Sequence, residues 1–437
     1  MKNKFLRRTL ALAMAATMML TGCATKENSD NSSTPATGGT TTPAADGNGS
    51  SSTGENTGIE PCEIIFWHAM SNKQEACLTE ITDAFNAQNE YGIKVTLVNQ
   101  GKYSDLSTKL TANASADTLP DLAQAYNNWL TPYLDKIVHL DDFVANMEDY
   151  EDIIESYRNE CSEFGFVHAI PFNKSTYVYF YNKTMFDELG LEAPKTWADL
   201  ENIGKVFKEQ KGMVSLGYDD LAGMLASYMK QNDCEYVTAD GAQFDNEKGM
   251  EALTFILNMY SNEYARLVGE DGYFSTPLSN QTIAAYVGSS TGASYITADG
   301  WELGVAPLPG NVKNAAYQAG TNVVMFSKDA NKQKAAFEYL TFLINTENTT
   351  KWAMATGYLP VRTSAYESAE YQAFMANDPS ATAAYAQSDS FFSTLNFDGS
   401  YDVMSAVNSK IEELVLYGTE PEEAMKELVE TINEKIK

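Results

Sequence analysis

Residues 288–292 read Gly-Ser-Ser-Thr-Gly and match the G-x-S-x-G pattern, which places a serine nucleophile on a sharp turn between a strand and a helix. Such serines carry out acyl transfer in α/β-hydrolases, whose catalytic histidine follows the nucleophile in the chain. All three histidines of this sequence precede Ser290, namely His68, His139 and His168. The order of the residues therefore argues against a serine hydrolase.

Carboxylates offer a second kind of catalysis, because a glycosidase needs only two of them at a suitable separation. The chain contains 59 aspartate and glutamate residues, so many pairs are available and this alternative stays open. Metal chemistry has less support, since the cysteines lack CxxC spacing and the histidines form no ligand motif. We therefore predict neither a metal site nor a cofactor.

The N-terminal segment has the pattern of an export signal. Four basic residues lie among the first eight, and residues 10–20 form an apolar stretch too short to span a bilayer as a stable helix. Residues 20–23 read Leu-Thr-Gly-Cys and resemble the lipobox of bacterial lipoproteins, whose cysteine receives a lipid. We predict a signal peptide over residues 1–22 and a lipid on Cys23 that holds the protein at the extracellular face of the cell membrane. An ordinary signal with a chance cysteine is the alternative.

The segment after Cys23 is rich in Ser, Thr, Gly, Asn, Ala and Pro and has too few large apolar side chains to form a core. We predict a flexible linker over residues 23–61 and a folded body that starts at Cys62. Removal of residues 1–22 leaves 26 basic residues against 59 acidic ones, a net charge of −33. Such a surface disfavours nucleic acid and anionic lipid headgroups as partners.

Four cysteines remain in the folded body: Cys62, Cys77, Cys161 and Cys234. An exported protein could join them in two disulfides, and the sequence leaves their pairing open.

The start of the folded body alternates strand and helix patterns. Three segments have strand character, namely residues 63–67, 94–98 and 121–126, and apolar residues recur at helical spacing between them. This order favours a mainly parallel sheet covered by helices, in which ligands bind beyond the carboxyl ends of the strands. His68, Tyr103 and Asn127 lie at or after those ends and are therefore candidate site residues.

A second α/β region begins with the strand-like residues 177–181. Thr196 and Asp199 have the spacing of a capping box for the helix that follows. Further helices are predicted at residues 252–260, 332–343 and 347–354, and after Pro421. A folded body of about 375 residues is large enough for two lobes or domains.

Six short motifs occur together in a recognisable order. They are residues 66–70 (Phe-Trp-His-Ala-Met), 101–103 (Gly-Lys-Tyr), 171–176 (Pro-Phe-Asn-Lys-Ser-Thr), 181–183 (Tyr-Asn-Lys), 194–197 (Pro-Lys-Thr-Trp) and 357–360 (Gly-Tyr-Leu-Pro). From Cys62 to the last helix, the chain resembles family 1 of the extracellular solute-binding proteins of ABC importers. Within that family it is most similar to the glycerol-3-phosphate-binding type and is also related to maltose-binding proteins.

The resemblance implies a type II periplasmic-binding-protein fold of class α/β, with two lobes, a hinge and a ligand cleft between the lobes. The implied lobes are residues 62–174 plus 318–357 and residues 175–317 plus 358–437. It also implies a monomer without enzymatic activity, which passes a small-molecule solute to ABC permease subunits in the membrane. Positions that match the family's ligand contacts are Tyr103, Asn127, Ser175, Ser289, Ser290, Gly320, Tyr358 and Asn396.

Two positions depart from the glycerol-3-phosphate-binding type. Asn127 replaces an acidic residue and Asn396 replaces an arginine, and no arginine follows Arg362. Because a buried phosphate needs a charged partner, we predict a mono- or oligosaccharide as the solute. Three tryptophans are candidates for stacking on sugar rings: Trp129, Trp301 and Trp352. The alternatives are glycerol 3-phosphate or a glycerophosphodiester as ligand, and a role in presenting the ligand to a membrane sensor.

Overall fold

The computed structural model describes residues 58–394 and 396–436. The predicted signal peptide, the predicted lipidation site at Cys23 and most of the predicted linker lie outside these residues. Within the described ranges, no helix combines the length and the apolar character needed to cross a bilayer. The first strand begins at Glu63, directly after Cys62.

The first part of the chain alternates strands and helices, as its apolar pattern predicts. Its elements are β1 (Glu63–His68), α1 (Asn72–Gln88), β2 (Lys94–Asn99), α2 (Tyr103–Ala116), β3 (Leu122–Ala125), two 3-10 turns (Asn127–Trp129 and Thr131–Lys136), α3 (Asp141–Val144), a 3-10 turn (Tyr150–Asp152) and α4 (Glu155–Glu160). Strand β1 pairs in parallel with β2 on one side and with β3 on the other. The predicted β-α-β-α-β unit is confirmed.

The middle of the chain opens with its longest strand. Its elements are β4 (Ile170–Asn182), α5 (Lys183–Glu188), α6 (Trp197–Lys211), β5 (Leu216–Gly217), α7 (Leu221–Gln231), β6 (Val237–Thr238), β7 (Gly241–Ala242), α8 (Glu247–Ser261), β8 (Ala265–Arg266), a 3-10 turn (Gly269–Asp271), α9 (Ser275–Ser279) and β9 (Ala285–Ser289). The predicted capping box is present at α6, because the Thr196 hydroxyl accepts from Asp199 N–H and the Asp199 carboxylate accepts from Thr196 N–H.

The last part of the chain adds three strands to the main sheet and is otherwise mainly helical. Its elements are a 3-10 turn (Ser290–Tyr295), β10 (Leu303–Ala306), β11 (Ala316–Met325), α10 (Ala330–Leu343), α11 (Thr346–Thr356), α12 (Thr363–Glu367), α13 (Ala369–Met375), α14 (Pro379–Ala386), a 3-10 turn (Ser388–Ser390), β12 (Phe391–Phe392), α15 (Ser400–Tyr417) and α16 (Pro421–Ile436). Helices α10, α11 and α16 cover the segments predicted as helical from apolar spacing and from Pro421.

Two long strands connect the halves of the main sheet, whose order is β10-β4-β11-β3-β1-β2. Strand β11 runs antiparallel to both β3 and β4. Strand β4 pairs with β11 up to Thr176 and with β9 from Tyr177 onward. The sheet is therefore mixed. The predicted parallel arrangement holds for β2-β1-β3 and for the short pair of β11 with β12, whereas β4 and β11 run in opposite directions between the two halves.

Separate hydrophobic cores define two lobes on either side of these crossing strands. The first lobe is the body around β1–β3, where side chains such as Ile64, Leu78 and Tyr339 are fully or almost fully buried. The second lobe is the body around α6–α8, α15 and α16, with Leu253 and Leu428 in its core. The exact lobe boundaries given above stay a prediction, and the change of partner along β4 lies close to the predicted boundary at residues 174 and 175.

Gly320 lies in β11 where the crossing strands pair, and its backbone conformation excludes a side chain. Its φ angle is +115°, and a Cβ atom placed on it would lie 1.7 Å from the Asn173 carbonyl oxygen of β4. The register of the two strands shifts just after it, between Thr321 and Asn322. Gly320 therefore allows β4 and β11 to approach closely beside an irregularity in their pairing.

We expect Gly320→Ala to destabilise the protein more than a glycine substitution in open space. Gly212, at the end of α6, is the matched control, because it also has a positive φ angle (+63°) but nothing lies within 4 Å of the position that an added methyl group would take. Both variants strain the backbone, whereas only Gly320→Ala forces the strands apart, which adds about 1–3 kcal/mol to the loss in free energy of unfolding. Urea denaturation followed by circular dichroism measures both losses, and equal values would contradict the expectation.

Candidate functional site

A cavity of about 340 Å³ lies where the crossing strands meet both lobes. The first lobe supplies the start of α2 and the turn after β3. The second lobe supplies Asp220, which directly precedes α7, and residues of α15, while β4 and β11 supply Tyr177 and Tyr317. The volume is suited to a small molecule, and a ligand in this position would touch both lobes and the strands between them.

Four of the eight predicted ligand-binding residues lie on the cavity wall: Tyr103, Asn127, Gly320 and Asn396. Tyr103 begins α2, and Asn127 begins the turn after β3. Asn396 follows β12 and approaches the wall from a distant part of the chain. The structure thus brings together residues nearly 300 positions apart, and their contact with a ligand stays a prediction.

The other four predicted residues are not among those that line the cavity: Ser175, Ser289, Ser290 and Tyr358. Ser175 is buried within β4, opposite Ala319 of β11. Tyr358 is also buried, and its hydroxyl lies 3.2 Å from that of Tyr103, so it supports a wall residue from behind. The structure does not place these four side chains on the cavity surface.

The G-x-S-x-G segment has no catalytic arrangement around its serines. Ser290 is 1% exposed, and its hydroxyl has no hydrogen-bond partner among the described residues. The Ser289 hydroxyl lies 2.9 Å from that of Thr291 and forms a local turn contact. A serine nucleophile needs a base within hydrogen-bond distance, and neither serine has one here. The sequence match therefore corresponds to a structural turn after β9.

Three aromatic side chains, Tyr103, Tyr126 and Trp129, form an aromatic cluster on the first-lobe side of the cavity. Their ring centroids are 5.0 to 6.2 Å apart in edge-to-face geometry. Trp129 is thus one of the three tryptophans predicted to stack on a ligand, and it reaches the wall. Trp301 and Trp352 do not, because both are buried in hydrophobic cores away from the lining.

The cavity also contains residues that sequence patterns did not single out. They include Tyr126, Glu160, Tyr177, Asp220, Tyr317, Gln318 and Tyr401. Tyr177 lies in a predicted strand, but a continuous apolar run does not show which side chains face a cleft. Asp220 and Glu160 were two of 59 acidic residues, and nothing in their local sequence distinguished them. His68 was a candidate from its position at a strand end, yet it is buried and accepts a hydrogen bond from Met70 N–H.

A buried polar network lies beneath the cavity. The Lys174 ammonium group of β4 is 2.7 Å from the Glu160 carboxylate, and both side chains are almost completely buried. Asn322 and Gln318 of β11 donate further hydrogen bonds to the same carboxylate. Asn127 donates to the Glu160 carbonyl oxygen at 2.8 Å and accepts from Asn322 at 2.8 Å. These contacts connect both crossing strands to α4 and occupy most of the hydrogen-bonding groups of Asn127.

Glu163 joins two residues of the cavity wall that are distant in the chain. Its carboxylate accepts hydrogen bonds from the side-chain amides of Asn127 and Asn396. Burial raises the pKa of Glu163 to about 7, although these two hydrogen bonds oppose the rise. Its carboxyl group therefore changes its charge near neutral pH while holding Asn396 beside the wall.

The charged groups on the wall are acidic. Asp220 and Glu160 line the cavity, whereas none of the described residues that line it is lysine or arginine. Burial raises the pKa values of Tyr103, Tyr126, Tyr177 and Tyr317, so these phenols stay protonated and can donate hydrogen bonds. The wall therefore presents rings, hydroxyls, amides and carboxylates to a ligand.

The described part of the chain contains neither a cluster of side chains suited to a metal ion nor a disulfide. No cluster of three or more His, Cys, Asp or Glu side chains within it could hold a metal ion. Its four cysteines are unpaired, although an exported protein could have joined them. Three of them, Cys77, Cys161 and Cys234, are buried, which raises their thiol pKa values and lowers their reactivity.

We expect Lys174→Met to destabilise the protein by about 3–5 kcal/mol, because it leaves the Glu160 carboxylate buried without its cation. Lys328→Met is the control, since Lys328 forms a solvent-exposed ion pair with Asp117 and its loss changes stability little. Urea denaturation measures both variants. A loss for Lys174→Met no larger than that of the control would show that the buried pair contributes little.

We expect Glu163→Gln to reduce the pH dependence of stability. The folded state holds a proton on Glu163 up to about pH 7, whereas an ordinary glutamate releases it near 4.5, so the wild type loses stability as the pH rises between these values. Glutamine resembles the protonated form and does not titrate. Urea midpoints from pH 4.5 to 8 should therefore fall more steeply for the wild type than for Glu163→Gln. Glu434→Gln on α16 is the exposed control and should keep the wild-type slope. An equal slope in the wild type and in Glu163→Gln would contradict the raised pKa of Glu163.

Comparison with known proteins places this site in a family. The model for bacterial extracellular solute-binding proteins matches residues 80–383. The sn-glycerol-3-phosphate-binding periplasmic protein of Yersinia pestis is 25% identical over 354 residues, which cover 74% of this chain and 80% of that protein. Its counterpart in Escherichia coli K12 is 24% identical over the same length and with the same coverage.

Solved structures show the same two-lobed fold. The cyclic alpha-maltosyl-1,6-maltose binding protein of Arthrobacter globiformis aligns with a TM-score of 0.76 and 21% identity, over 86% of this chain and 99% of that one. The sugar-binding protein MalE of Xanthomonas citri gives 0.76 and 23%, over 86% and 97%. UgpB of Mycobacterium tuberculosis in complex with glycerophosphocholine gives 0.75 and 21%, over 86% and 98%. With its sequence motifs, crossing strands and interlobe cavity, this chain belongs to the family of bacterial extracellular solute-binding proteins.

Proposed function

We propose that this protein captures a neutral mono- or oligosaccharide between its lobes and delivers it to an ABC permease, while a lipid on Cys23 holds it at the cell membrane. The observation that carries the choice of ligand is the composition of the cavity wall. It combines an aromatic cluster with amide, hydroxyl and carboxylate groups, and its lining includes no lysine or arginine among the described residues.

Aromatic rings and hydrogen-bonding groups match the two kinds of surface on a sugar. The faces of a sugar ring carry C–H groups, which pack against flat side chains such as those of Tyr126 and Trp129. The edges carry hydroxyls, each of which is both a donor and an acceptor. Asn128 and Gln318 line the cavity as well and add side-chain amides to the polar groups of the wall.

The charge of the wall disfavours a phosphate monoester. A buried phosphate is normally held by arginine or by a set of convergent donors, and here it would face Asp220 and Glu160. The nearest cation in the network, Lys174, is fully buried and already paired with Glu160. Asn396 is the predicted counterpart of an arginine in the glycerol-3-phosphate-binding type, and its amide donates to Glu163. These contacts support a neutral ligand.

One observation favours a second candidate, a glycerophosphodiester with a cationic head group. Aromatic rings close to carboxylates stabilise quaternary ammonium groups, and the aromatic cluster with Glu160 and Asp220 has both features. The Mycobacterium tuberculosis relative was solved with glycerophosphocholine. The phosphate of such a ligand would lack a cation on the wall, which is why a sugar is the first choice.

Capture would follow from closure of the lobes. A ligand that touches both lobes binds the closed form more tightly than the open form, so binding shifts the population toward closure. The crossing strands β4 and β11 connect the lobes and supply part of the wall, so movement between the lobes would alter the cavity directly. The closed form would then be recognised by the permease.

We expect at least one neutral sugar to stabilise the protein. Maltose, maltotriose, cellobiose, xylobiose, lactose, glucose and galactose form the test panel, with glycerol 3-phosphate and glycerophosphocholine as the competing ligands. At about 100 times the dissociation constant, a bound sugar adds about 2.7 kcal/mol to the free energy of unfolding and raises the melting temperature measurably. Differential scanning fluorimetry provides the screen, and isothermal titration calorimetry provides the dissociation constant.

Two outcomes would replace the sugar with another ligand. A response to glycerol 3-phosphate with silence across the sugars would show that the acidic wall accommodates a phosphate. A response to glycerophosphocholine alone would favour the second candidate.

A further inference from the structure

Asp220 is the carboxylate on the wall with the most free hydrogen-bonding capacity. It precedes α7, where one of its oxygens accepts from Ala222 N–H at 3.1 Å and the other accepts from the Tyr177 hydroxyl. A carboxylate has about four acceptor positions, so each oxygen keeps one that the protein does not use. Glu160 differs, because Lys174, Asn322 and Gln318 all donate to it.

The surroundings of Asp220 hold its side chain in one orientation. Tyr177 of β4 binds one oxygen, and the helix start binds the other. A side chain at Gly223 would collide with this arrangement, since a Cβ atom there would lie 2.5 Å from the Asp220 carboxylate and 2.6 Å from the Tyr177 ring. The two free acceptor positions therefore belong to a fixed group, and fixed groups bind ligands with a smaller loss of side-chain entropy.

Asp220 and the aromatic cluster belong to different lobes. Helix α7 packs in the core of the second lobe through Ala222, Met224 and Leu225. The rings of the aromatic cluster lie in a core of the first lobe. A sugar that stacks on the rings while its hydroxyls reach Asp220 would join the lobes.

We propose that Asp220 is a specificity-determining residue, whose two carboxylate oxygens accept hydrogen bonds from two adjacent hydroxyls of the captured sugar. This inference rests on the proposed carbohydrate function and specifies the pattern of hydroxyls that the site recognises. Tyr177 is a positioning residue that orients the carboxylate. Because the contact comes from the second lobe, it forms fully only when the lobes close around the sugar.

The test compares Asp220→Asn, Tyr177→Phe and Asp329→Asn with the wild type, using the panel sugar that binds. Asparagine keeps the size of the side chain but replaces one acceptor oxygen with a donor. Asp329 is the matched control, since it caps α10 in the way that Asp220 caps α7 and does not line the cavity. We expect Asp220→Asn to raise the dissociation constant about 10- to 100-fold, Tyr177→Phe about 2- to 10-fold, and Asp329→Asn less than about 2-fold.

Monodeoxy derivatives of the same sugar separate recognition from a structural effect. In the wild type, removal of either of two adjacent hydroxyls should weaken binding about 10-fold or more. In Asp220→Asn, the same two deletions should weaken binding much less, because the group that reads them has changed. If Asp220→Asn fails to fold, Tyr177→Phe takes its place. Removal of either of the two hydroxyls should then weaken sugar binding less in Tyr177→Phe than in the wild type.

Several results would overturn the inference. Unchanged affinity in Asp220→Asn, or deoxy effects equal to those of the wild type, would show that Asp220 caps α7 without reading the sugar. These outcomes leave the proposed function intact, since the wild type still binds a sugar. If no panel sugar binds the wild type, the proposed function itself fails and the inference fails with it.

Discussion

The arrangement of the crossing strands around the cavity depends on a buried ion pair between Lys174 and Glu160. Lys174 belongs to one crossing strand, and Asn322 and Gln318 of the other crossing strand bind the same carboxylate. A charge removed from water is tolerated only when it is paired and its remaining positions are satisfied. The pair therefore sets the spacing of β4, β11 and α4, and these elements form the floor of the cavity.

This constraint also explains the division of roles among the polar residues. Glu160, which belongs to the ion pair, and Asn127, which binds its backbone carbonyl, have most of their hydrogen-bonding capacity engaged by the protein. Asp220 is held at two positions and keeps the others open. A polar residue on the wall of a cavity is thus not automatically a ligand contact. Polar residues whose hydrogen-bonding positions are all used by the protein stabilise the site, whereas those with open positions can bind a solute.

Much of the fold could be predicted because its signals are local. Strand and helix patterns around β1–β3 arise from the spacing of apolar residues within single elements, and the capping box at α6 lies within four residues. The mixed sheet was not predicted, since the antiparallel pairing of β4 with β11 joins segments that are distant in the chain. The family resemblance led to Tyr103 and Gly320, which line the cavity, and their contact with a ligand stays a prediction. Asp220 has no motif, and the burial of Trp301 and Trp352 in hydrophobic cores depends on contacts between distant parts of the chain.

The sequence by itself determined the family, the order of the elements and the acidic character of the chain, because each depends on residue identity and short-range spacing. It also argued against the triad of an α/β-hydrolase, since every histidine precedes Ser290 in the chain. Only the tertiary structure decided which side chains share the cavity, because its wall is assembled from α2, β4, β11, α15 and the residues around them. Which polar atoms remain free for a ligand depends on contacts between residues distant in the chain, and such contacts exist only after the two lobes have folded around the crossing strands.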